Sequence, residues 1–150
     1  MPILQPQSGE VPAAAPTVLS QTFWDGCRRG ELLYQFFPSS GAAQFNPAPI
    51  DRLSLSGDFE WRVSAGLGTV YSWSVVWRPQ TPAFTVPYCA AIVDLDEGFQ
   101  MVSNIIGCDA GAVYCGQRVE ATFVAVSEVL TLPYFRPVGR DARPEGCRGR

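Results

Sequence analysis

Three carboxylates, Asp94, Asp96 and Glu97, stand beside Gly98, and acidic oxygens at that spacing can hold a hard cation. Asp and Glu just ahead of a glycine are also ordinary residues of a hairpin tip, and that reading is the stronger one. Cys108 and Asp109 follow Gly107, but no neighbouring histidine or arginine is there to activate the thiol, so it reads as structural. Tyr34, Tyr71, Tyr88, Tyr114 and Tyr134 include possible proton donors, yet each falls where a β-barrel needs an aromatic side chain with one polar end. Cys27, Cys89, Cys108, Cys115 and Cys147 are odd in number and form no Cys-x-x-Cys pair, which argues against both a disulfide framework and a tetrathiolate site. Most of them read as small buried apolar residues. There is no histidine, and with it goes the commonest general base and nitrogen ligand. The residues therefore assign no catalytic group and no metal-ligand set.

A chain of 150 residues, 47% hydrophobic and 17% charged, can bury one core and reads as a single folded unit with appendages. No apolar run approaches the roughly 20 residues of a membrane-spanning helix, and the first residues lack the pattern of a secretory signal. A cytoplasmic protein with no membrane partner is expected. Every basic residue is arginine, four of them at Arg140, Arg143, Arg148 and Arg150. Between residues 20 and 136 seven arginines face eleven acids, the opposite of what a phosphate-gripping barrel shows, so nucleic acid is not the expected partner.

The elements that must position these groups follow from periodicity. Residues 1–17, rich in Pro, Ala and Gln, and residues 137–150, rich in Gly, Arg and Pro, read as disordered tails. Ser20 is placed to cap a short helix running to about Arg29, with Phe23, Trp24 and Cys27 on one side and Gly30 closing it. A short strand over 31–37 and a turn-rich stretch over 38–57 complete a first region, 18–58. In the second region, 59–136, the period becomes two. From Tyr71 to Trp77 the odd positions are large and apolar while Ser72 and Ser74 are polar, which predicts a strand that buries Trp73, Val75 and Trp77. Residues 88–95 and 99–105 flank Asp96-Glu97-Gly98 as an antiparallel hairpin. Residues 116–126 alternate again, and Leu130-Thr131-Leu132 makes a last strand stopped by Pro133. With residues 59–63 counted as the start of the first strand, the pattern predicts a mainly β chain built on a five-stranded Greek-key barrel of OB type.

The order of these elements resembles a family of rubredoxin-like zinc-ribbon plus OB-fold proteins, domain of unknown function 35. The resemblance runs from about Phe23 to Pro137. It rests on Phe23-Trp24-Asp25-Gly26, Gly30-Glu31-Leu32, the run from Gly68 to Val76, Pro82-Ala83-Phe84 and Pro87-Tyr88. It continues through Val93-Asp94-Leu95-Asp96-Glu97-Gly98, Asn104-Ile105-Ile106-Gly107-Cys108, Gly116-Gln117-Arg118-Val119 and the run from Leu132 to Pro137. Residues 34–61 carry the layout of the family's zinc knuckle, with Gly41, Phe45, Pro47 and Pro49 in place. Where the family sets two pairs of cysteines, however, this chain has Phe37, Ser40, Asp51 and Ser54. The resemblance thus implies a degenerate, metal-free ribbon, since one carboxylate and two hydroxyls do not replace four thiolates.

Members of that family are partners of thiolase-like acyl-CoA enzymes, including lipid-transfer-type aldolases of steroid side-chain degradation. The resemblance implies a non-catalytic accessory subunit of a retro-aldolase or thiolase that shapes the complex and part of the acyl-CoA path. Acyl-CoA is then the substrate of the complex, and this chain binds no cofactor of its own. The alternative is a stand-alone OB-fold module that binds nucleic acid or another ligand. Aromatic residues and arginine dominate interface hot spots, so the contacts expected with the partner are Phe23, Trp24, Phe36, Phe37, Phe45, Tyr134, Phe135 and Arg136.

Overall fold

The computed structural model describes residues 1–8 and 10–139. In chain order these form α1 (Gln21–Arg28), β1 (Leu33–Phe37), β2 (Ala42–Gln44), β3 (Glu60–Val63), β4 (Leu67–Val76), β5 (Tyr88–Leu95), β6 (Gln100–Ile105), β7 (Arg118–Ala125) and β8 (Thr131–Pro137). Strands β4-β5-β6-β8-β7 close into a barrel, and β2-β1-β3 make a separate small sheet. The only parallel pairing among them is β6 with β8, through Ile105 and Phe135, which gives the Greek-key order expected of an OB barrel.

Helix α1 buries Phe23, Gly26 and Cys27 against β1, β7 and β8. Ser20 occupies the N-cap position without capping through its side chain. Its hydroxyl instead accepts the backbone N–H of Thr17 at 2.9 Å, which closes a turn ahead of the helix. At the other end Gly30 adopts φ +77° and Glu31 N–H reaches the carbonyl of Gly26 at 2.9 Å, a left-handed termination that a side chain at position 30 would strain.

The segment 59–63 does not open the barrel. It pairs with β1, Leu33 opposite Val63 and Gln35 opposite Trp61, so the ribbon sheet has β1 at its centre. β1 is buried at four of its five positions and needs neighbours on both edges, and β3 supplies the second. Ser64 N–H to Leu32 O at 2.8 Å and Gly66 at φ +73° then redirect the chain into β4. Buried Gln35 ties the irregular stretch to this sheet, its side chain accepting from Ala48 N–H at 2.8 Å and donating to Ala48 O at 3.1 Å.

In the barrel, Cys89, Ala91, Val93 and Leu95 alternate inward along β5 and pack with Val70, Met101, Ile105, Val119 and Phe135. β4 crosses β5 so closely at Gly68 that a Cβ there would lie 2.4 Å from the carbonyl oxygen of Asp94. Pro133 does not stop the last strand. β8 runs through it because the Pro133 carbonyl points toward β6, accepting Ser103 Oγ at 2.8 Å, and on that side pairing occurs only at Ile105–Phe135. No ladder bond needs the missing N–H.

Residues 1–8 are anchored, not loose. Ile3 bridges to Asp109, Leu4 is 1% exposed within the core, and Leu4 exchanges backbone hydrogen bonds with Cys108 and Gly107 at 2.9 Å each. One buried leucine and a short bridge at the barrel end hold a segment whose composition alone suggested a tail. Pro137 closes β8, and the arginine-rich residues 140–150 lie outside the described residues.

Candidate functional site

The carboxylates of the β5–β6 tip do not converge on an ion. Asp96 makes a two-pronged pair with Arg118 at 2.7 and 2.8 Å, and that guanidinium holds its carboxyl below the usual range. Glu97 accepts Ser64 Oγ at 2.9 Å and Ala65 N–H at 2.7 Å, while Asp94 accepts the Gln100 amide at 2.6 Å. Each carboxylate is committed to donors of the protein itself. Among the described residues no three His, Cys, Asp or Glu side chains gather as a metal site.

Three thiols, Cys27, Cys89 and Cys108, are held protonated by burial, while Cys115 is exposed. Burial pushes Cys27 up to about 12 and Cys89 up to about 11, and burial followed by the Asp109 charge raises Cys108. None of these three is a thiolate near neutral pH, so none of them is a nucleophile.

The knuckle positions have become a different device. Phe37 is fully buried, its ring 5.8 Å from that of Phe59. The Asp51 carboxylate accepts Ser54 Oγ at 2.6 Å, Ser54 N–H at 3.0 Å and Leu53 N–H at 3.2 Å. The Ser40 hydroxyl, then that of Ser54, hold Asp51 down to about 2. Asp51 itself is covered by its own turn, whose residues 52–55 are exposed. The zinc implied by the ribbon layout does not fit this donor set: a phenyl ring, two hydroxyls and a carboxylate already accepting three hydrogen bonds offer no tetrahedral thiolate cage.

Of the residues expected at a partner surface, four belong to the protein's own core. Phe23 and Phe135 lie in the main core cluster, Phe37 is buried beside Phe59, and Tyr134 is buried on β8. Trp24, Phe36 and Phe45 are half-buried, and Phe36 lies under the Arg62 guanidinium at 3.5 Å. Arg136 is exposed and paired with Glu120 at 2.9 Å.

Exposure appears instead on β4, where the sequence pattern predicted burial. A register break between Val70 and Ser72 puts Tyr71 outside, 59% exposed. Trp73 and Val75 do stand opposite core residues Ala91 and Cys89, but β7 pairs only with Leu67–Thr69. Beyond that point β4 has one neighbour, so Trp73 is open at the barrel rim and Trp77 is 53% exposed past the strand end.

A cleft of about 550 Å³ lies between α1, the loop after β2, the outer side of β6 and β8. Phe23, Trp24, Phe45, Phe84 and Tyr134 supply ring walls, and Val102 projects from β6, 69% exposed. A strap closes one side. Gln7 N–H donates to Tyr134 Oη at 3.1 Å, its side chain donates to Thr85 O at 3.1 Å, and that side chain accepts Thr85 N–H at 2.8 Å. Sequence reasoning missed Gln7, Phe84, Met101 and Val102, which come from segments that share no local pattern.

Comparison with known proteins agrees with this architecture. The family model described as ChsH2, C-terminal OB-fold domain, matches residues 61–124. The chain is 40% identical over 118 residues to a probable enoyl-CoA hydratase alpha subunit of Thermomonospora curvata, covering 77% of this chain and 36% of that protein. It is 36% identical over 102 residues to the 3-oxo-4,17-pregnadiene-20-carboxyl-CoA hydratase alpha subunit of Mycobacterium tuberculosis, covering 68% of this chain and 32% of that one. The chain thus spans about a third of the length of these relatives. A solved chain of the Ltp2-ChsH2(DUF35) aldolase superposes with a TM-score of 0.77 at 30% identity, over 83% of this chain and 98% of that one. With that fit across 98% of a solved chain, and the closed five-stranded barrel already described, this protein belongs to the DUF35 family of OB-fold proteins.

Proposed function

We propose that the chain is a non-catalytic accessory subunit of a thiolase-like acyl-CoA enzyme, a retro-aldolase or thiolase working on a steroid side chain or another lipid acyl group. The observation that carries this reading is the match across 98% of the solved chain from the Ltp2-ChsH2(DUF35) aldolase. The chemistry of the described residues supports it: the tip carboxylates bind protein donors, and burial keeps Cys27 and Cys89 protonated. The partner supplies the reacting groups, acyl-CoA is the substrate of the complex, and this chain contributes surface and shape. The donor set at the knuckle supports a ribbon with no resident zinc. The setting is cytoplasmic in this reading; no helix among the described residues is long and apolar enough to cross a membrane.

The test is co-expression with a thiolase-like enzyme. A stable complex burying more than about 1,200 Å² in total, with turnover only when both chains are present, is the expected result. Turnover of acyl-CoA by this chain alone defeats it. A second reading, a stand-alone OB module that stacks single-stranded bases, draws on exposed Tyr71, Trp73 and Trp77. The acidic body opposes it, and oligonucleotide binding that weakens steeply with salt is the outcome that favours it.

A further inference from the structure

We propose that the cleft beneath α1 binds the uncharged, rigid hydrocarbon part of the acyl group, a fused or alicyclic ring system bearing ketone or hydroxyl oxygens. The inference rests on the acyl-CoA reading and adds to it a site on this chain. Charge is the first argument. Among the described residues, no charged side chain lines this cleft. A site without a cation cannot hold the phosphates of CoA, so only the neutral acyl end suits it.

Wall chemistry is the second. Five aromatic rings and the prolines Pro12, Pro47 and Pro133 surround the space. Such side chains have few rotamers to lose, so a preformed slot between them favours a stiff slab over a flexible chain. The volume of about 550 Å³ lies within the range of small-molecule sites. Polar groups are few and are all neutral. The side chains of Asn46 and Asn104 make no hydrogen bond among the described residues, which leaves amide donors for a ketone or hydroxyl oxygen. The slot is also held open by construction. The Gln7 strap is hydrogen-bonded to both Tyr134 and Thr85, and Phe23 is fixed edge-on to Trp24 and Phe45 at 5.1 and 5.2 Å.

The experiment titrates the full 150-residue chain with progesterone, a neutral fused-ring ketone, with decanol, a neutral linear chain, and with free CoA, while reading amide and indole NMR shifts. Saturable progesterone shifts at Ser103, Asn104 and the Trp24 indole are expected, with decanol at least tenfold weaker and CoA silent at those positions. Val102→Arg places a charge in the cleft from an exposed position and should weaken progesterone at least tenfold. Val63→Arg, exposed on the ribbon sheet, should leave binding unchanged. No saturable shift, tighter binding of decanol, or indifference to Val102→Arg overturns the proposal. Partner binding is scored separately: a chain that joins a thiolase-like enzyme but ignores progesterone loses only the cleft assignment. One that binds progesterone and joins no such enzyme loses only the accessory role.

Discussion

The backbone N–H of Gln7 donates to the hydroxyl of Tyr134 at 3.1 Å, a buried bond between residues 127 apart in sequence. It joins the N-terminal strap to the last barrel strand. Tyr134→Phe removes the acceptor and leaves a buried donor unpaired, which should cost about 1–3 kcal/mol in chemical denaturation. Burial raises the Tyr134 pKa above its usual 10, with the Gln7 bond acting in the opposite direction. A raised acid favours the folded state while protonated, so this contribution is complete below pH 10 and fades as pH rises from there through the shifted value. Tyr134→Phe should lack that alkaline limb.

Asp51 sets the opposite limb. Its folded value of about 2 lies below the ordinary 3.8, so the stability it adds is full above about pH 3.8 and is lost as pH falls from there through about 2. Asp51→Asn should flatten the stability profile across that window, as read by denaturation at each pH. An unchanged acid limb shows that the carboxylate does not organise the knuckle.

The same turn predicts the response to chelators. A zinc-dependent knuckle draws about 10–16 kcal/mol from its metal, and this donor set has no thiolates to supply that. EDTA should leave the melting temperature unchanged, and elemental analysis should find no stoichiometric zinc. One zinc per chain sinks the prediction.

Phe37 separates core from contact. Fully buried against Phe59, it should cost about 3–5 kcal/mol on truncation to alanine. Tyr71→Ala and Trp77→Ala, both at exposed positions, should each shift stability by about 0.5 kcal/mol or less. Calorimetry distinguishes the two patterns; a large stability loss at Tyr71 or Trp77 contradicts this assignment.

Gly68 tests the barrel crossing. With a Cβ placed 2.4 Å from Asp94 O, Gly68→Ala must push β4 off β5 at a cost of about 1–3 kcal/mol. A neutral result in thermal unfolding means the two strands are free to part.

Local chemistry was readable in the chain itself. The β5–β6 hairpin follows from two strand-forming runs on either side of the short turn Asp96-Glu97-Gly98, and the helix ends at Gly30 because the next turn requires a left-handed residue. The absence of histidine is a fact of composition and already pointed away from a catalytic centre, while the replaced knuckle positions were legible only through the family resemblance. Tertiary structure decided the rest, because pairing and burial depend on what arrives from elsewhere. The register break after Val70 and the early departure of β7 expose Tyr71, Trp73 and Trp77, although their spacing matches a buried face. Residues 60–63 join β1 because that buried strand had an open edge, a need invisible in their own sequence. The cleft is the extreme case. Its walls come from the N-terminal strap, α1, two loops, β6 and β8, so no window of sequence contains it, and only closure of the ribbon and helix over the barrel brings those rings together.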